Sequence, residues 1–163
     1  MRTAELLRYL ILAAQREGNR QLSLALRSLN LTSSQAEAIR VLGEFGPLSL
    51  RNLGELLICE SGTNPSRLID RLVTAGLVER DESPHDRRRV TLSLTKEGQR
   101  ADKEVRLIEE QFYRQIEDLS AGIELEANIE FLFALSSGTP AGIALKERIR
   151  RVATDTQSST VEA

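Results

Sequence analysis

The sequence contains no tryptophan, one cysteine and one histidine, and only 4% of its residues are aromatic. Each scarcity removes a class of explanation. A single cysteine, Cys59, cannot close an internal disulfide, which suits a reducing cytoplasm rather than a disulfide scaffold. There is no Cys/His cluster with metal spacing and no glycine-rich phosphate loop, so neither a metal, a cofactor nor an enzymatic activity is expected. Cys59 and His85 would pair as nucleophile and base only if a loop folded back onto the domain, and His85 reads as a solvated loop residue. With so few aromatics, the core must be built from Leu, Ile, Val and Ala, which suits helices. No apolar run approaches the ~20 residues that span a bilayer. The N-terminal "LLRYLILAA" is interrupted by Arg8, preceded by Glu5 and followed by no small-residue cleavage site. It reads as an amphipathic helix, not a signal peptide. The net charge is -2, so overall basicity does not announce a nucleic-acid partner.

Against these absences, the order of elements is informative. Residues Thr3 to Leu29 carry apolar positions at helical spacing, with Gly18-Asn19 as a weak point. "LTSSQAEAIRVLGEFG" predicts a second helix, with Thr32 as N-cap, Gln35 at the capping-box position and Gly46-Pro47 as its end. "SLRNLGELLICE" predicts a short helix capped by Ser49, with Gly54 on its apolar face where another helix can come close. "SGTNPSRLIDRLVTAGLV" follows after almost no connection. Pro65 belongs in its first turn, Ser61, Thr63 and Asn64 are possible caps, and Gly76 is the stop. Val90, Leu92 and Leu94 alternate with polar residues, the period of a half-buried strand, and "DESPHDR" is expected to join it to "LVER" as a hairpin. From Lys96 a long charged helix reaches about Leu119. A second helix holds Ile129 to Leu135, and a last short one follows "SSGTP". The polar end "ATDTQSSTVEA" reads as frayed. Four helices, a hairpin and two or three further helices make a mainly α (α+β) fold with the layout of a winged helix-turn-helix.

The helix near residues 62–75 divides sharply. Thr63, Asn64, Ser66, Arg67, Asp70, Arg71 and Thr74 share one arc, while Leu68, Ile69, Leu72 and Val73 share the other. The polar arc has no Lys or Glu. It offers short hydrogen-bonding groups near its start and two guanidinium groups in its middle. Arginine can bond guanine O6 and N7 with two donors, and asparagine can pair with adenine. Hydroxyls and first-turn N–H groups suit phosphates. The bland reading is that Ser61 and Asn64 are caps and that Arg71 pairs with Asp70 or Glu79. The hairpin then adds Arg87, Arg88 and Arg89, with no acidic residue until Glu97. A solvated loop would explain them as edge protection. A wing over the neighbouring backbone or minor groove would use them as DNA contacts, with Arg87 and Arg88 near the tip and Arg89 at the strand entrance. Asp86 could then hold Arg88 in one direction.

Asp86-x-Arg88, five residues, then Leu94-Thr95 resembles the wing signature of the MarR family of bacterial transcriptional regulators. "LVTAGLVERDESPHDRRRVTLSLTKEGQ" is similar to that family almost throughout, and "LSLRNLGELLICESGTNPSRLIDRL" resembles its helix-turn-helix. The resemblance covers about residues 31–100. It implies a homodimer joined through its N- and C-terminal helices, a pseudo-palindromic double-stranded DNA operator, and in many members a repressor released by a small, often aromatic effector. The resulting division is 1–30 N-terminal dimerisation helix, 31–95 DNA-binding domain with recognition helix about 62–75 and wing about 77–95, 96–153 C-terminal dimerisation helices, and 154–163 flexible tail. Leu6, Leu10, Ile11, Leu132 and Leu135 are expected at the dimer interface, because the outer helices carry more apolar residues than a small winged domain can cover. Redox members commonly place a sensor cysteine in the N-terminal helix, and this chain has none there. Cys59, beside Leu56, Leu57 and Ile58, is expected to be a buried structural thiol. The alternatives are an oxidant sensor acting through Cys59 and a winged-helix protein-interaction module without DNA specificity.

Overall fold

A computed structural model describes residues 1–59, 65–83 and 86–161, with the backbone alone at 82–83, 86–89 and 155–161. Seven α-helices and three strands occur among them: α1 (Thr3–Ala25), α2 (Ser33–Phe45), β1 (Leu48–Ser49), α3 (Leu50–Gly54), α4 (Pro65–Thr74), β2 (Val78–Ser83), β3 (Asp86–Leu94), α5 (Lys96–Leu119), α6 (Glu126–Ser136) and α7 (Pro140–Val161). The fold is mainly helical with a small antiparallel sheet, as the sequence predicts. No helix among the described residues is long and apolar enough to cross a membrane.

Side-chain caps set the helix starts. The Thr32 hydroxyl accepts from the Gln35 N–H at 3.3 Å, and the Gln35 carboxamide oxygen accepts from the Thr32 N–H at 2.9 Å, completing the expected capping box. Ser49 accepts from the Asn52 N–H and starts α3. Helix α1 tightens into a 3-10 turn over Leu26–Leu29 and ends at left-handed Asn30. Gly76 supplies the positive φ, 71°, that turns the chain from α4 into the hairpin.

The apolar faces of α2, α3, α4 and the sheet close on one core. Leu26, Ile39, Leu53, Leu56, Ile69 and Leu72 are fully buried in it. Strand β3 lies between the other two. Leu48 pairs with Leu92 on one side, and Val78 pairs with Leu94 on the other. Strand β1 escaped the sequence reading because two residues are too few to show a period.

The hairpin differs from expectation in one respect. Its strands pair as far as Ser83 and Asp86, with an irregularity between Glu82 and Ser83. Asp86, Arg87, Arg88 and Arg89 therefore belong to β3, not to a long loop. The register pairs Glu82 with Val90 and Ser83 with Asp86, so Arg87, Arg88 and Arg89 enter β3 as the extra residues of that irregularity. The C-terminus differs too. Backbone expected to fray after Ala153 stays helical through Val161, with no proline or glycine to interrupt it.

Two polar joints attach the sheet and α2 to α5. Thr95 donates its hydroxyl to the Gly76 carbonyl at 2.7 Å, accepts from the Gly98 N–H at 3.0 Å and donates its own N–H to the Leu77 carbonyl at 3.1 Å. One threonine thus ties the end of α4, the foot of the wing and the start of α5. Arg40 of α2 meets Glu109 at 2.8 Å and Asp102 at 3.1 Å, and Asp102 also takes Arg106 at 2.9 Å. By contrast, no residue of α1 or α6 is buried.

Two glycines test this packing. A Cβ at Gly98 would overlap the Leu77 carbonyl oxygen, which is backbone and cannot swing away. A Cβ at Gly54 would meet Pro65 only at 3.5 Å, an ordinary contact. Gly98→Ala should therefore destabilise the fold by about 1–3 kcal/mol through overpacking. Gly54→Ala should be neutral or stabilising by up to about 1 kcal/mol through helix propensity. Urea denaturation of both variants checks this, and equal midpoints would contradict it.

Candidate nucleic-acid interface

Helix α4 presents its two arcs as the sequence predicts. Leu68, Ile69 and Leu72 are buried, while Arg67, Asp70, Arg71 and Thr74 are exposed and Ser66 is half-buried. Ser61, Thr63 and Asn64 lie outside the described residues. The proposed pairing of Arg71 with a carboxylate is not formed. The Asp70 carboxylate instead takes Arg80 of β2 at 2.5 Å, and the Glu79 carboxylate accepts the Ser93 hydroxyl at 3.3 Å. Among the described residues, neither the Arg67 nor the Arg71 guanidinium has a hydrogen-bonding or ionic partner. Their positive charges stand one turn apart on the surface. The one carboxylate sharing their arc is occupied by a strand of the wing.

The wing residues Asp86, Arg87, Arg88 and Arg89 are placed by their backbone at the start of β3, with Asp86 opposite Ser83 at the end of β2. His85 lies outside the described residues.

The turn leading toward α4 holds the groups that sequence reasoning missed. Glu37, on α2, accepts the N–H of Ile58 at 2.8 Å and the N–H of Cys59 at 2.9 Å. The same carboxylate pairs with the Arg148 guanidinium from α7, and Arg148 Nε donates to the Leu56 carbonyl at 2.6 Å. These partners are far apart in the chain, so no local pattern announces them. Cys59 itself is exposed, which corrects the expectation of a buried thiol. Leu56 and Leu57 complete the buried face, and the chain has already turned outward when it reaches Cys59.

Among the described residues no group of three or more His, Cys, Asp or Glu is arranged to hold a metal. Several hollows adjoin α5. One of about 90 Å³, against α1, is lined by Leu22, Ile108 and Phe112 among others. A wider one of about 360 Å³, against α2, is lined by Arg40, Arg106, Leu107 and Tyr113 among others.

Residues 31–98 match the family model described as a winged helix DNA-binding domain. The organic hydroperoxide resistance transcriptional regulator of Bacillus subtilis (strain 168) is 36% identical over 90 residues, which cover 55% of this chain and 60% of that protein. The match thus spans less than two thirds of that relative's length. The structure of a MarR variant from E. coli complexed with operator DNA superposes with a TM-score of 0.63 at 25% identity, covering 78% of this chain and 91% of that one. The structure of NadR in complex with 4-hydroxyphenylacetate superposes with a TM-score of 0.60 at 30% identity, covering 78% of this chain and 89% of that one. The helix-turn-helix, the three-stranded sheet with its wing and the flanking helices together carry one conclusion: the chain belongs to the MarR family of winged-helix transcriptional regulators, a family of regulators rather than enzymes.

Proposed function

We propose that the protein is a sequence-specific repressor that binds a pseudo-palindromic operator as a homodimer in the cytoplasm and is released by a small effector. The observation that carries the DNA-binding reading is the pair of exposed guanidinium groups, Arg67 and Arg71, which have no partner among the described residues and stand on a helix whose opposite face is buried. Arginine recognises guanine edges with two donors. A guanidinium with no partner in the free protein loses no ion pair when it binds. Support for the operator comes from the MarR variant complexed with operator DNA. Support for an effector comes from NadR with 4-hydroxyphenylacetate, and the α2–α5 hollow is roomier than the one between α1 and α5.

Helix and wing should do different work. Replacing Arg67 or Arg71 by Ala should relax preference at one operator position by roughly 1–3 kcal/mol. Replacing Arg87 or Arg88 should weaken binding to all duplexes more evenly and lower the salt slope by about one contact. Asp86→Ala should also weaken binding, although it removes a negative charge, because its proposed task is to aim Arg88. Tighter binding by Asp86→Ala would refute that task. A steep fall of affinity with salt separates DNA binding from a protein-interaction module.

The dimer rests on the outer helices. Leu6, Leu10, Leu132 and Leu135 remain 46–59% exposed, and Ile11 is half-buried. A second copy of the chain is the proposed cover. Sedimentation equilibrium at micromolar concentration should give the dimer mass. A monomer there would remove the symmetric-operator account.

A second reading, release by oxidation, is favoured by the exposure of Cys59 and by the hydroperoxide-resistance relative. It predicts that peroxide releases DNA from wild type but not from Cys59→Ser. Equal behaviour of the two proteins would eliminate it.

A further inference from the structure

We propose that Arg148 is a positioning residue for DNA recognition: from α7 it fixes, through Glu37 and the Leu56 carbonyl, the turn that leads into α4. This inference rests on the reading of α4 as the recognition helix. The turn offers two backbone N–H groups, of Ile58 and Cys59, and both go to the Glu37 carboxylate. That carboxylate is largely withdrawn from water, its side chain 10% exposed. Two amides alone leave it with an uncompensated negative charge in a low-dielectric site, which is costly. Arg148 supplies the compensation and, with its Nε on the Leu56 carbonyl, touches the turn at a second point. A planar guanidinium makes both contacts from one rigid group, which an ammonium cannot reproduce.

The rest of α7 prepares this reach. Ala144, one turn earlier, is buried, and Arg151, one turn later, lies 6.0 Å from the centre of the Phe45 ring at the end of α2. Arg150 and Arg151 both hydrogen-bond Glu147 and hold its carboxyl down to about 2. The acid of this turn of α7 is thus occupied by those two, and Arg148 pairs instead with Glu37 of α2. The arm that carries α7 is in this way tied to the turn before α4. A shift of α7 would be felt at Ile58 and Cys59, in the segment that precedes α4, without passing through the core.

The test uses the full chain and two duplexes: one recovered by selection from a random pool, and one of random sequence and equal length. In Arg148→Ala that still sediments and melts as wild type does, the ratio of affinities for the two duplexes should fall at least about tenfold. Amide exchange at Ile58 and Cys59 should quicken, while exchange in the core of α2 stays slow. In a Glu37→Gln background, adding Arg148→Ala should cost far less, because the two act through one contact. Should Arg148→Ala not fold, Arg148→Lys keeps the charge but loses the two-point contact, and the ratio should still drop severalfold. An unchanged ratio in a folded Arg148→Ala, or an Arg148→Lys indistinguishable from wild type, would overturn the proposal. Failure of the α4 reading itself shows separately: Arg67→Ala and Arg71→Ala would then leave the ratio untouched, and the two amides would still report the clamp.

Discussion

The burial of one side of α4 is the constraint on which the rest depends. Ile69 and Leu72 have no exposed surface, and Leu68 has almost none. Each such side chain contributes on the order of 1.5–3 kcal/mol by leaving water. That removes any freedom for the helix to roll. Once these three residues face the core, Arg67, Asp70 and Arg71 must face outward. The arc that reads as a groove-facing surface is therefore a consequence of packing, and its chemistry is free to vary without disturbing the fold.

Packing fixes the roll of α4 but not its tilt or its neighbours, and there the polar contacts act. Asp70 holds Arg80 of β2, Thr95 bridges the Gly76 carbonyl to α5, and Glu37 holds the turn before α4. The helix is thus tied along its exposed side and just beyond its end, and the segment that precedes it is tied at Ile58 and Cys59. Directional bonds with one good geometry set position more sharply than apolar contact does. Their donors and acceptors come from α2, β2 and α7 as well as from the flanks of α4. The domain that would touch DNA and the arm that would join two subunits are therefore not mechanically independent.

What could be read in the sequence was local. Thr32 and Gln35 lie three residues apart, and their capping box is a matter of spacing. Gly76 is a stop because only a positive φ turns the chain there. The two arcs of α4 follow from a period of 3.6 residues. What could not be read depends on contacts between distant segments. Arg148 lies 111 residues from Glu37, and nothing in "LKERIRRVA" distinguishes Arg148 from Arg150 or Arg151. Gly98 resembles any early helical glycine until Leu77 is brought against it. Cys59 has apolar sequence neighbours, which suggest burial, but the chain turns outward just before it. Of the proposed interface, the arginines of α4 are placed by their surroundings, while the wing arginines are placed by the backbone of β3.

The central claim is that two copies of α4, each presenting Arg67 and Arg71, read a symmetric duplex. Selection of bound sequences from a random duplex pool, at moderate salt with the purified full chain, tests it most directly. The account predicts a pseudo-palindrome whose half-sites lie about one helical turn apart, on the order of 34–36 Å between centres. Retained duplexes with no shared sequence, or a single unpaired half-site, would contradict it.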